Sequence, residues 1–173
     1  MSEFRETQWF NQWFMLAILI MPVSITIYCI YAWYIAGIRV DKVAADDTTG
    51  QLIVLGLMGF TILFMLSMRL YTKVDSEGIH FKYIPFIWQW RKYSWYDIAS
   101  CEIKTFDPLS DFGGWGIKKS WKGKPANWSY TVKGDRGIYI ALKNGKTLII
   151  GTQKGDEALE HIQKFVKPNK HES

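Results

Sequence analysis

Residues 7–38 read TQWFNQWFMLAILIMPVSITIYCIYAWYIAGI, and no Asp, Glu, Lys or Arg lies between Glu6 and Arg39. A second uncharged stretch lies between Asp47 and Arg69. The hydrocarbon core of a bilayer is roughly 30 Å thick and is crossed by about 20 apolar residues in a helix. Both stretches meet that length, so the sequence predicts transmembrane helices over residues 12–36 and 51–68. An N-terminal segment (1–11), a loop (37–50), a second domain (69–168) and a polar tail (169–173) remain.

Aromatic residues place the first helix. Trp9 and Trp13 stand near one end and Trp33 and Tyr34 near the other. Such rings prefer the membrane–water interface, where the ring is half buried and its polar atom stays wet. Arg69 is the matching anchor just beyond the second helix. Pro22 should kink the first helix locally. The apolar stretch is far longer than the roughly 7–15-residue core of a signal peptide, so it is expected to remain as an anchor. Gly56 and Gly59 share a face of the second helix. They read either as a close helix–helix contact or as the ordinary abundance of glycine in such helices.

Charge predicts the orientation. The loop carries Arg39 and Lys42 against Asp41, Asp46 and Asp47, a net of −1. Residues 69–173 hold 18 of the 21 Lys and Arg and 11 of the 16 Asp and Glu, a net of +7. Lys and Arg accumulate on the cytoplasmic side, so both termini are expected there. A positive domain beside anionic lipid needs no nucleic acid to explain its charge. Cys29 and Cys101 fall in different phases and are not expected to pair.

The remaining region alternates with period two. Leu70, Thr72 and Val74 alternate with Tyr71, Lys73 and Asp75, and Asp75-Ser76-Glu77-Gly78 forms a turn. Ile79, Phe81 and Tyr83 follow, then an aromatic run with Trp88, Trp90, Tyr93 and Trp95. Ala99, Cys101 and Ile103 form another alternating segment. Asn144-Gly145 between Ile138–Leu142 and Leu148–Ile150 is a strong hairpin signal. Ala158, Leu159, Ile162, Phe165 and Val166 switch to helical spacing. Asp156 and Glu157 open that helix, Lys164 and Lys167 close it and Pro168 stops it, as its dipole favours. The expected fold is α+β: two transmembrane helices, then a barrel or sandwich of six or seven antiparallel strands with a C-terminal helix.

That order is the order of a pleckstrin-homology-like (PH-like) barrel. Asp75-Ser76-Glu77-Gly78-Ile79, Ser94-Trp95-Tyr96-Asp97-Ile98-Ala99-Ser100, Phe112-Gly113-Gly114-Trp115-Gly116-Ile117 and Ile149-Ile150-Gly151-Thr152-Gln153 resemble a family of small bacterial membrane proteins. Its members carry a two-helix transmembrane hairpin followed by a bacterial PH-like domain. The resemblance covers nearly the whole chain and implies a fold and a place in the inner membrane. It supplies no activity and no functional residues. Eukaryotic PH domains that bind phosphoinositides have a basic first hairpin, whereas here that turn is acidic.

The irregular loop 107–127 holds Trp115, Trp121, Lys118, Lys119, Lys122 and Lys124. Interleaved Trp and Lys suit a surface that meets anionic headgroups. The plainer reading is a tight glycine bend with Trp115 packed inward and solvated lysines. Phe86, Ile87 and Trp88 after Pro85 form an apolar tip that could dip among headgroups. Asp107 and Asp111 read as turn formers, Cys101 as a small core residue and His161 as a surface residue. Glycines 113, 114 and 116 lack the Lys-Ser/Thr ending of a phosphate loop. No nucleophile–base set, metal-ligand spacing, cofactor motif or small-molecule site emerges. The expected function is a non-enzymatic, membrane-anchored interaction module that binds a protein partner or its own copies, along an exposed strand edge or against the helix. The alternative is an anionic-lipid-binding domain.

Overall fold

A computed structural model of the protein describes residues 3–10, 13–120 and 126–166, with the backbone alone at 13–15. The side chain of Trp13 and the tail 169–173 lie outside the described residues. The chain divides into two compact units: Phe10–Met68 form one, and the segments on either side of them form the other.

The first unit holds α1 (Trp13–Ile30), which continues as a π-helical turn over Tyr31–Ile35, and α2 (Thr48–Ser67). Both are long and apolar enough to cross a membrane, and only 17% and 6% of their most apolar windows are buried. The core helices of a compact protein would hide such surface. The hydroxyls of Thr26, Thr61 and Ser67 donate to Pro22 O, Leu57 O and Phe64 O of their own helices. Such self-satisfaction suits a segment without water around it. Helix α2 begins three residues earlier than expected because Asp47 caps it, accepting from Gly50 N–H at 2.9 Å. The connecting loop is held by Gln51, whose buried amide donates to Ala44 O and Ala45 O. Trp33 is buried and donates Nε1–H to Val43 O, whereas Tyr34 is 62% exposed. Nothing within this unit packs where a Cβ on Gly56 or Gly59 would stand.

The second unit contains two sheets. β1 (Phe4–Trp9), β2 (Arg69–Asp75), β3 (Gly78–Ile84) and β4 (Ile87–Ser94) form an antiparallel sheet in that order. β5 (Ile98–Thr105), β6 (Gly116–Lys119), β7 (Trp128–Thr131), β8 (Arg136–Leu142) and β9 (Thr147–Gly151) form a sheet of order β5-β8-β9-β7-β6. The described strands thus number nine rather than six or seven, and they do not close into a barrel. One pair departs from the antiparallel expectation: β7 runs parallel to β9, with Trp128 opposite Leu148. Two of the strands that sequence missed, β6 and β7, lie in or beside the irregular loop. The third, β1, pairs with β2 from Phe4↔Val74 to Trp9↔Arg69. Residues 10–68 are therefore an insertion between two neighbouring strands of one sheet.

Alternation places the core between the sheets. Leu70, Val74, Ile79, Phe81 and Tyr83 are fully buried from one side, and Ile138, Ile140 and Ile150 from the other. The Phe81 and Tyr130 ring centroids stand 4.6 Å apart, and Tyr83 Oη–H donates to Thr131 O at 3.2 Å. The Asn144-Gly145 turn joins β8 to β9 as expected, with Gly145 at φ 79° and Lys146 N–H donating to Asn144 Oδ1. Helix α4 (Gly155–Phe165) buries Ala158 and Ile162 and packs against strands of both sheets. His161, expected at the surface, is half buried: its ring stands 6.0 Å from Phe4, and its Nδ1 is 2.9 Å from Glu157 O.

Loop 107–127 is mostly architecture. Asp107 caps the short helix α3 (Pro108–Phe112), accepting from Leu109 N–H and Ser110 N–H, while Asp111 accepts from Asp107 N–H. Gly113 ends that helix at φ 70°, in the left-handed conformation where a side chain is costly. The loop carries Phe112 and Ala126 onto the outer face of the second sheet. There they meet Phe106, Ile149 and Tyr139 in a small second core.

The first hairpin turn rests on Asp75. Burial pushes its carboxyl up, but the Lys73 ammonium, the Glu77 N–H and His80 together hold it well below the usual carboxylate range. A depressed pKa stabilises the fold above the unfolded value near 3.8 and loses that contribution as pH falls toward the folded value. Asp75→Asn should therefore cost about 2 kcal/mol at neutral pH. Denaturation midpoints of the two proteins should differ constantly from pH 7 to about 5 and converge below about 4.

Candidate functional site: an open corner between sheet edges

Among the described residues, strand β4 ends the first sheet and β6 ends the second, so each leaves one edge without a described strand neighbour. Where these edges approach, the sandwich stays open around a cavity of about 570 Å³. One wall is Phe86, Ile87, Arg91 and Tyr93, from β4 and the turn before it; the other is Ile117, Trp128 and Tyr130. Leu142, Asn144, Lys146, Thr147 and Leu148 of the β8–β9 hairpin complete the lining.

Local register builds this opening. The β3–β4 pairing slips between Phe81 and Tyr83, so three residues of β4, from Trp88 to Trp90, face one of β3. A bulge of this kind twists a strand and ends regular pairing. Phe81 lies buried behind the lining: its ring stacks 6.1 Å from Tyr93 and tilts 4.6 Å from Tyr130. Trp128 stacks on Tyr130 at 6.4 Å. Burial pushes both tyrosine phenols up, and the Arg91 guanidinium, hydrogen-bonded to Tyr130, partly offsets the shift there. At neutral pH the cavity thus offers two neutral hydroxyls and two cations, Arg91 and Lys146, among aromatic walls. That set can hold an extended chain by its main chain and an acidic side chain by charge.

Of the predicted surface residues, Phe86 lines this cavity and Trp88 stands beside it, 70% exposed. Lys118 and Lys119 do not line it. Ile117 faces the cavity, so Lys118 projects from the opposite face of β6, where its stem lies near Gly116. Lys119 is exposed opposite Trp128. Trp115 is half buried and donates Nε1–H to Gly134 O at 2.8 Å, which favours the packed reading of the glycine run. Trp121, Lys122 and Lys124 lie outside the described residues. Trp9 sits at the end of β1 under Arg69, whose guanidinium carbon is 3.7 Å from the ring centroid. Arg91, Lys146 and the two tyrosines escaped sequence reasoning because three separate hairpins bring them together. The one available signal was the excess of rings over 86–96.

Burial pushes the Cys101 thiol up to about 12, with Glu102 adding to the shift, so it is no thiolate at neutral pH. Among the described residues no group of three His, Cys, Asp or Glu stands close enough to hold a metal ion. A scan against protein-family models and a search of curated proteins found no match to this chain.

Proposed function

We propose that the protein is a membrane-anchored interaction module of PH-like type whose β-unit takes up an extended, acidic segment of a protein partner in the open corner. The observation that carries this reading is the pairing of an available strand edge with a cationic aromatic cavity. Main-chain bonds to a sheet edge give affinity, and pockets for alternate side chains give specificity. Arg91 and Lys146 select a carboxylate over a neutral residue.

The anchor is the helical hairpin, placed in the bacterial inner membrane with both termini cytoplasmic. Three observations support it. The helices carry large exposed apolar side chains. The loop between them has a net of −1 and the region after them a net of +7. β1 and β2 are hydrogen-bonded neighbours, which agrees with a segment between them that crosses a membrane and returns.

A photo-crosslinking phenylalanine in place of Trp128, in the full-length protein in cells, tests the proposal. The expected adduct is one protein joined through an extended acidic segment, identified by peptide mass spectrometry. Arg91→Glu should lower its yield about tenfold or more. An adduct indifferent to Arg91→Glu, or adducts to lipid alone, would overturn the reading.

A further inference from the structure

We infer that the outer face of the four-stranded sheet, opposite its core face, binds the anionic phospholipid headgroups of the bilayer the helices enter. The inference rests on the membrane reading above and concerns a different surface from the open corner. Strand register sorts the outward side chains into rows. The first row is Trp9, Arg69 and Ile84. The second is Thr7, Tyr71 and Lys82, with Trp90 reaching the Lys82 ammonium. Next come Arg5, Lys73, His80 and Lys92. The last is Asp75, with Glu77 in the turn beyond it.

Composition thus changes along the strands from aromatic and cationic in the first two rows, to cationic, to acidic. Six residues separate Arg69 from Asp75, about 20 Å of strand. A leaflet presents the same sequence of preferences from its apolar boundary outward: rings at the interface, cations among phosphates, and acids kept away. The cations of the first two rows are held by rings rather than by carboxylates. Arg69 lies over Trp9 at 3.7 Å, and Lys82 lies 4.5 Å from Tyr71 and 5.0 Å from Trp90. Their charge remains available to a phosphate. Farther along, Glu3 and Asp75 pair with Lys73, and Glu77 pairs with Lys92. The apolar end is also the end nearest in sequence to the helices, since Trp9 precedes Phe10 and Arg69 follows Met68. Trp88, 70% exposed, extends the chain just past Ile84.

Full-length protein in a Cys29→Ala, Cys101→Ala background, with Trp88→Cys or Ser76→Cys spin-labelled, provides the test after reconstitution into vesicles. In vesicles containing phosphatidylglycerol, the label at 88 should collide preferentially with oxygen and the label at 76 with a water-soluble nickel complex. Lys82→Glu, pure phosphatidylcholine, or about 0.5 M salt without any substitution should each reduce the oxygen preference at 88 several-fold. Equal nickel access at 88 and 76 in phosphatidylglycerol overturns the inference. So does shielding at 88 that persists unchanged in phosphatidylcholine and high salt, since that marks protein cover. A third label, at Leu63→Cys, separates the two readings. If it is nickel-accessible, the membrane anchor itself fails; if it is oxygen-accessible while 88 is not, the headgroup face alone fails.

Discussion

Phe81→Ala should destabilise the β-unit by about 3–5 kcal/mol and abolish capture of a partner at the open corner. The ring has no exposed surface and supports both walls of the cavity, touching Tyr93 in its own sheet and Tyr130 in the other. Truncation removes the transfer energy of a buried aromatic and leaves a void that the two tyrosines can only partly fill. Their hydroxyls would then move from the positions that, with Arg91, define the cavity. Phe81→Leu, which keeps most of the volume, should recover more than half of the stability. Chemical denaturation of the two variants in mild detergent, followed by near-ultraviolet circular dichroism, checks the ranking. A Phe81→Ala protein as stable as the parent would show that the sheets do not depend on this contact.

Glu6→Ala should have the second-largest effect, on the order of 3 kcal/mol. Glu6 is 7% exposed on the core face of β1. Its carboxylate accepts from Thr152 Oγ1–H at 2.6 Å and from Gln153 N–H at 2.8 Å. Gln8, two residues on, donates to Gly151 O at 2.7 Å. These bonds tie β1 to the chain after β9, beyond the ladder it shares with β2. Removing the carboxylate leaves the Thr152 hydroxyl and the Gln153 amide without that acceptor, so the loss exceeds that of an exposed pair. Amide exchange measured by mass spectrometry should show β1 opening well before β2 and β3 in the variant. Uniform protection across all four strands would rule out this role for Glu6. The same result would leave Gln8 as the principal tie.

The parts that sequence disclosed are those whose causes are local. Asn144-Gly145 needs only its own conformational freedom to make a hairpin, and the Asp75 turn needs only a side chain within three residues. Helix α4 announces itself through spacing and terminal charges, and the two apolar helices through length. The β1 strand was hidden because its evidence is remote. Trp9 beside an apolar stretch looks like an interface ring, and nothing nearby reveals that Phe4, Glu6 and Gln8 face a core supplied by residues 70–152. β6 and β7 were hidden by glycine and proline around them, since a parallel partner such as β9 leaves no local signature. The site was the least legible part. Of the conspicuous lysines of loop 107–127, Lys118 and Lys119 do not line it, while Arg91 and Lys146 carry no mark of their own. The bulge after Phe81 and the turn between β8 and β9 decide where those two cations stand.

The pairing of β1 with β2 also orders events during synthesis. Residues 4–9 leave the ribosome before their ladder partners, which are 60 to 70 residues behind, and the hydroxyl that meets Glu6 is 146 residues behind. The first strand must wait, extended and unpaired, while both apolar helices are made and handed to whatever receives them. Only when β9 and Thr152 have emerged can its carboxylate find a partner. A chain that stalls or is cut before residue 151 would carry a complete helical hairpin and an N-terminal strand unable to lock. Such a strand would keep exposed an acid that the finished fold buries, its tie to the chain beyond β9 unmade.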